Sequence, residues 1–125
     1  MFHLVSMNCR FSHSCLALFY VRNALEQHLP EHSLLLSQFT INDPYYPTLL
    51  RISRERSKAV FFSVYIWNHT VIRRLIKDLT RLRPDLAIIL GGPQAHALGV
   101  GGLPKQSTLF LGEIEGAPQK FYRDL

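Results

Sequence analysis

The chain has 125 residues, 47% of them hydrophobic and 18% charged, and its formal net charge is +5. This size and composition suit one globular domain and argue against intrinsic disorder. We expect no transmembrane helix, because no run of about 18 apolar residues occurs. The two cysteines are too few for a disulfide framework, and the start lacks a signal-peptide pattern. The expected compartment is therefore the cytoplasm.

Taken in chain order, the hydrophobic pattern predicts a strand and then a helix. Residues 3–7 form a short apolar strand, and residues 14–29 have a helical period that ends at Pro30. The apolar face of this helix consists of Ala17, Tyr20, Val21, Ala24 and Leu25.

A second strand and a shorter helix come next. The strand is predicted at residues 34–39. Pro47 suits the first turn of the helix. Its expected apolar contacts come from Leu49, Leu50 and Ile52.

The third strand and helix have the clearest patterns. Residues 59–66 are almost wholly apolar, which fits a strand covered on both faces. The helix starts at Asn68 or His69, and Pro84 prevents its continuation. Its expected apolar face consists of Val71, Ile72, Leu75, Ile76, Leu79 and Leu82.

The last third of the chain contains two further predicted strands. Residues 86–90 form a buried strand, which the glycine pair and proline after it terminate. Residues 95–102 are ambiguous between a helical turn and a glycine-rich loop. Residues 108–111 are predicted as a fifth strand, and residues 116–125 as a closing helix.

Alternating strands and helices predict a single domain over residues 1–125 with a parallel sheet. The expected fold is a three-layer, doubly wound α/β fold, Rossmann-like or flavodoxin-like, with five strands in the order 2-1-3-4-5. Ligands of such folds bind beyond the carboxyl ends of the strands. The basic stretches at 51–58 and 73–83 are interpreted as solvated helix faces.

The segments that follow the predicted strands contain the only tryptophan of the chain and several glycines. An aromatic side chain beside glycines that permit close approach suits a flat, bulky ligand. A dinucleotide site is disfavoured, because no glycine follows the first strand. Ser12 and Ser14 match only weakly the hydroxyl-rich first loop with which flavodoxin-like domains bind phosphate. Glu113 and Glu115 could cap a helix or contact a ligand.

Five stretches carry a family resemblance: NCRFSHSCLAL at 8–18, FTIND at 39–43, FSVYIWN at 62–68, GGP at 91–93 and GEIE at 112–115. In these stretches the chain resembles the N-terminal cobalamin-binding domain of B12-dependent radical SAM enzymes, and it looks closest to the oxidative-cyclase-like group. The resemblance covers nearly the whole chain. It depends on the order of the five stretches rather than on any single motif.

The resemblance implies a five-stranded Rossmann-like domain that holds cobalamin over the sheet edge. Ser63 falls near the buried nucleotide tail, and the glycine pair lets that tail pass close to the backbone. The cofactor-binding residues implied in this way are Asn8, Arg10, His13, Ser63, Tyr65, Ile66, Trp67, Asn68, Gly91, Gly92, Pro93, Gly112 and Glu113.

The chain departs from the family in two places. Many B12 proteins carry Asp-x-His-x-x-Gly after the first strand, and here Asn8 and Arg10 stand at the Asp and His positions. We therefore expect no cobalt ligand from that motif. His13 is a possible substitute ligand, but the favoured interpretation is a histidine of a loop or a helix start.

The second departure is that the sequence lacks Cys-x-x-x-Cys-x-x-Cys, the motif that binds the iron–sulfur cluster of radical SAM enzymes. The chain is therefore expected to have no catalytic residues of its own. S-adenosylmethionine (SAM) and a 4Fe-4S cluster would belong to a radical SAM catalytic domain of the same parent enzyme, a methyltransferase or an oxidative-cyclase-like enzyme. No nucleic-acid or membrane partner is expected. Two alternatives stay open: a degenerate Rossmann-like scaffold or interaction domain, and a flavin or other nucleotide binder.

Overall fold

The computed structural model describes residues 1–8, 16–92 and 107–109. Four parallel strands form a sheet in the order β2-β1-β3-β4. The strands are β1 (Phe2–Asn8), β2 (Leu34–Thr40), β3 (Ala59–Ser63) and β4 (Ala87–Gly91). The helices that connect them are α1 (Leu16–His28), α2 (Tyr45–Arg54) and α3 (His69–Leu82).

A three-residue strand, β5 (Ser107–Leu109), pairs in parallel with β4. The predicted α/β class and the strand order 2-1-3-4 are thus confirmed. The fifth strand predicted at residues 108–111 overlaps β5, but its last two residues lie outside the described part of the chain. The segment at 95–102 and the closing helix at 116–125 also lie outside it.

Burial explains which strands are central. All residues of β1 and β3 are buried, whereas β2 is mostly half-buried. β1 and β3 are buried on both faces because helices cover both sides of the sheet. On one side, Ala24 and Leu25 of α1 pack against the sheet. On the other side, α2 and α3 bury the larger cluster, whose helical members are Leu49, Ile52, Ile72, Leu75, Ile76 and Leu79.

Three residues predicted to face the core are exposed: Tyr20, Leu50 and Leu82. At about 100° per residue, Leu50 lies roughly 150° from the centre of the buried face of α2. Tyr20 lies about 90° from the centre of the buried face of α1. Leu82 is the last residue of its helix, where fewer neighbours are available to cover it.

The third strand is shorter than predicted. Apolar residues continue to Ile66, but β3 ends at Ser63. The next residues form a turn into α3, because the Asn68 side chain accepts a hydrogen bond from the backbone N–H of Tyr65. The turn is what brings the aromatic residues to the sheet edge.

Candidate functional site

The carboxyl ends of the four strands meet at one edge of the sheet, here called the carboxyl edge. Asn8 at the end of β1 is in register with Thr40 at the end of β2. Ser63 at the end of β3 is in register with Gly91 at the end of β4. Of the predicted cofactor-binding residues, the structure brings eight to this edge: Asn8, Ser63, Tyr65, Ile66, Trp67, Asn68, Gly91 and Gly92.

The other five predicted site residues lie outside the described residues. They are Arg10, His13, Pro93, Gly112 and Glu113. Their proposed roles, including that of His13 as a cobalt ligand, stay predictions.

Asn8 is buried and held by neighbouring side chains. The Ser6 hydroxyl donates to its Oδ1 over 2.5 Å. Its Nδ2 donates to Oε1 of Gln38 on β2 over 3.2 Å. An asparagine offers both a donor and an acceptor, so it satisfies both neighbours. The amide therefore ties β1 to β2 at the edge.

Asn68 connects three parts of the edge. Its Nδ2 donates to the carbonyl oxygen of Met7 over 3.0 Å and to that of Ser63 over 3.2 Å. Its Oδ1 accepts from the backbone N–H of Tyr65 over 2.8 Å. The side chain is 1% exposed, and both amide hydrogens are used. Asn68 therefore positions the turn between β3 and α3.

This turn presents apolar side chains to solvent. Ile66 is 72% exposed and Trp67 49% exposed. The rings of Tyr65 and Trp67 stack, with centroids 4.6 Å apart and an interplanar angle of 3°. Single exposed apolar side chains are common on protein surfaces, whereas several that lie next to one another often mark a binding surface. We call these three residues the aromatic turn.

The two glycines after β4 differ in their surroundings. A Cβ on Gly92 would lie 2.7 Å from the backbone N and O of Val64, and its φ of 96° disfavours other residues. Gly92 is therefore required by the protein's own packing. At Gly91 no described atom lies within 4 Å of an added Cβ. Its carbonyl accepts from the N–H of Val64 over 2.7 Å, which fixes this open point next to β3.

The β2 end is closed by its own polar groups. The backbone N–H of Thr40 donates to Oδ2 of Asp43 over 2.8 Å. The Thr40 hydroxyl accepts from the N–H of Asn42 over 3.2 Å. The N–H of Ile41 donates to the carbonyl of Asn8 over 2.8 Å. This rigid turn borders the edge, and its Asp43 carboxylate is occupied.

The described part of the chain contains one buried histidine, and it lies away from the carboxyl edge. His3 in β1 is 1% exposed and shares a hydrogen bond of 2.8 Å between its Nε2 and the Ser37 hydroxyl. Burial lowers its pKa below the usual 6.5, and Arg51 lowers it further while Glu55 opposes the shift. His3 is therefore neutral at pH 7.

In the described ranges, no three histidine, cysteine or acidic side chains lie close enough together to hold a metal ion. Among the described helices, none combines the length and apolarity needed to cross a bilayer.

The sequence did not reveal two features that matter here. One is the internal use of Asn68, which depends on a partner 61 residues away on β1. The other is a cluster on the outer helices, where the Tyr45 hydroxyl donates to Asp78 Oδ2 over 2.6 Å and the Arg74 guanidinium lies 3.7 Å from the Tyr45 ring centre. The separate basic and aromatic stretches of the sequence gave no signal for this contact. Burial and the Asp78 carboxylate raise the pKa of Tyr45.

No protein-family model, curated protein or solved structure matches the chain. What the fold and the edge define is a class: a parallel α/β domain with an exposed aromatic turn and an open glycine at the carboxyl ends of its strands.

Proposed function

We propose that this chain is a cobalamin-binding domain that holds its ligand at the carboxyl edge. The observation that carries the proposal is the aromatic turn beside Gly91, where no described atom lies within 4 Å of an added Cβ. Two stacked rings and an exposed isoleucine offer a flat apolar surface. A corrin ring is flat and largely apolar, and the open point at Gly91 leaves room for a chain to pass close to the backbone.

The proposal includes the finer fold. The helices on both faces and the pairing of β5 with β4 support a doubly wound, Rossmann-like sheet of five strands in the order 2-1-3-4-5. Ligands in such sheets bind at the carboxyl ends, next to the point where strand order reverses. In the described sheet that point lies between β1 and β3, which are the two strands that Asn68 ties together.

The residues divide into two roles. Ile66 and Trp67 would contact the ring, since both are exposed, and Ser63 with Gly91 would border the nucleotide tail. Asn8, Asn68 and Gly92 shape the edge, because their polar groups or packing are used within the protein. Arg10, His13, Pro93, Gly112 and Glu113 enter the proposal on the family resemblance alone. When bound, cobalamin supplies a cobalt centre that carries a methyl group or takes part in radical chemistry.

The parent protein is proposed to be a cytoplasmic radical SAM enzyme, a methyltransferase or an oxidative-cyclase-like enzyme. Its catalytic domain would bring SAM and the 4Fe-4S cluster. The present chain would bind and orient cobalamin for that domain. Support for this assignment comes from the order of the five resembling stretches.

Gel filtration with hydroxocobalamin tests the proposal. The full chain is mixed with excess hydroxocobalamin and separated, and absorbance at visible wavelengths is followed in the protein peak. We expect the cofactor to co-elute and to quench Trp67 fluorescence, because the ring lies against the indole. Cobalamin that stays in the small-molecule fraction, even from high micromolar mixtures, would contradict the proposal.

A parallel gel-filtration run with flavin mononucleotide tests the alternative of a flavin or nucleotide binder. Retention of the yellow cofactor, without retention of cobalamin, would favour that alternative. The exposure of Ile66 and Trp67 also suits an interaction domain. The interaction-domain hypothesis is supported if neither cofactor binds and if Trp67→Ala abolishes the association with a co-purifying protein.

A further inference from the structure

A concave surface lies at the edge of the sheet opposite the carboxyl edge. The chain segment between α2 and β3 borders an open depression of about 530 Å³. Its lining residues are Met1, Ser53, Arg54, Glu55, Arg56, Ser57, Lys58 and Arg83. Because β3 begins at Ala59, the depression lies at the amino ends of the strands, away from the aromatic turn. We call it the basic depression.

Arg83 holds the wall of the basic depression in one shape. Its Nη1 donates to the carbonyl oxygens of Ser53 and Glu55 over 3.3 and 2.9 Å. Its Nη2 donates to the carbonyl of Ser57 over 2.9 Å. Asp85 accepts from Nε and Nη2 of the same guanidinium, each over 3.2 Å. One side chain therefore holds three backbone carbonyls between the end of α2 and the start of β3.

This arrangement also changes the local electrostatics. The carboxyl ends of α2 and α3 lie at this edge and carry partial negative charge, which repels anions. The positive charge of Arg83 offsets the partial negative charge of the carbonyls at the end of α2. The other basic side chains of the depression therefore remain to attract an anion from solvent.

Three cations line the depression without partners among the described residues. The side chains of Arg54, Arg56 and Lys58 are exposed and make no ion pair or hydrogen bond there. Glu55 is the one carboxylate in the lining. The Ser57 hydroxyl is also without a described partner, although the residue is only 4% exposed. Buried hydroxyls normally have a partner, so Ser57 is a lining residue whose polar group is unmatched among the described residues.

We propose that the basic depression binds a small phosphorylated anion. Arginine forks match phosphate oxygens in pairs, and lysine adds a point charge. The volume falls in the range of small-molecule sites, roughly 300–1,000 Å³. A small anion is favoured over a nucleic-acid strand because the unpaired cations are confined to one depression. The backbone that forms this depression is held in place by Arg83.

Calorimetric titration of the full chain with pyrophosphate tests this site. The double variant Arg56→Gln/Lys58→Gln removes two exposed cations and leaves the Arg83 contacts intact. We expect it to bind pyrophosphate at least about tenfold more weakly than the wild type. The matched control, Arg73→Gln/Lys77→Gln, removes the same charge from the outer face of α3, and its affinity should stay within about twofold.

Two results would overturn the proposal: no binding of pyrophosphate, whether or not an oligonucleotide binds tightly, or equal losses in both double variants. Equal losses would mean attraction by net charge alone. Backbone amide shifts at Ser57 and Lys58 during the titration give an independent location. Cobalamin binding should be the same in both double variants, so failure here leaves the carboxyl-edge proposal unaffected.

Discussion

Removal of the Asn68 side chain should loosen the carboxyl edge more than any other single truncation there. Asn68→Ala deletes three hydrogen bonds, one from the Tyr65 N–H and two to the carbonyls of Met7 and Ser63. At about 1 kcal/mol for each bond, the loss is about 3 kcal/mol. For a chain of this length, that lowers the melting temperature by roughly 10 °C.

The isosteric change Asn68→Asp sharpens this test. It keeps the acceptor for the Tyr65 N–H but replaces the amide donors by an oxygen that faces two carbonyl oxygens. At pH 7 we expect a loss at least as large as in Asn68→Ala, because the second carboxylate oxygen would be buried without a donor and would face the carbonyl oxygens of Met7 and Ser63. Urea unfolding followed by far-UV circular dichroism measures both variants.

The control for these variants is Asn42→Ala. Asn42 is exposed and contributes its backbone N–H, not its side chain, to the turn after β2. Its free energy of unfolding should change by less than about 0.5 kcal/mol. If Asn68→Ala loses no more than Asn42→Ala, the side chain does not hold the edge together and the reasoning fails.

Three further predictions concern stability. Gly92→Ala should lower the free energy of unfolding by about 2 kcal/mol, because the added Cβ meets backbone atoms 2.7 Å away at a φ of 96°. The stability of the wild type should fall as pH drops below 6.5, since the lowered pKa of His3 means that the unfolded chain takes up its proton first; this fall should be smaller in His3→Gln. Tyr45→Phe should cost about 1 kcal/mol, because it removes the bond to Asp78.

Matched control substitutions test the Gly92 and Tyr45 predictions, and unfolding at two pH values tests the His3 prediction. Gly91→Ala adds a Cβ where no described atom is near, so a loss equal to that of Gly92→Ala would contradict the steric account. Tyr46→Phe removes an exposed hydroxyl that accepts from Arg74 and should be almost neutral. Urea unfolding at pH 7.5 and at acidic pH measures the histidine effect, and identical pH slopes in wild type and His3→Gln would exclude His3 as its source.

Much of the fold could be predicted because burial imposes a periodic pattern on the sequence. Residues 34–39 and 86–90 coincide with β2 and β4 within one residue at each end. The helix after Asn68 shows its buried face at i, i+3 and i+4 positions. Alternation and right-handed crossovers left only a few strand orders, and the order preferred among them agrees with the observed order β2-β1-β3-β4.

The failures have local physical causes. The pattern at Val64, Tyr65 and Ile66 is apolar, so the end of β3 at Ser63 could not be read from it. The Val64 N–H still donates to the Gly91 carbonyl, but the next backbone N–H, that of Tyr65, donates to the Asn68 side chain. The pairing with β4 therefore does not continue past this point. Leu50 was placed toward the core because apolar neighbours surround it, although the phase of α2 turns it outward.

The candidate site was predictable in location but not in the role of each residue. The strand ends followed from the topology, so Ser63, Trp67 and Gly91 were found at one edge. Whether a polar side chain faces a ligand or the protein depends on distant partners, as Asn68 and Asn8 show. A sequence gives no such pairing without the register of the sheet.

Equilibrium dialysis against hydroxocobalamin tests the carboxyl-edge proposal most directly, with the wild type and Gly91→Leu compared side by side. The leucine side chain enters the space that is open at Gly91, while circular dichroism verifies that the variant is folded. We expect the wild type to retain cobalamin and the folded variant to bind it at least about tenfold more weakly. Equal binding by both, or none by the wild type, would contradict a cobalamin site at the carboxyl edge.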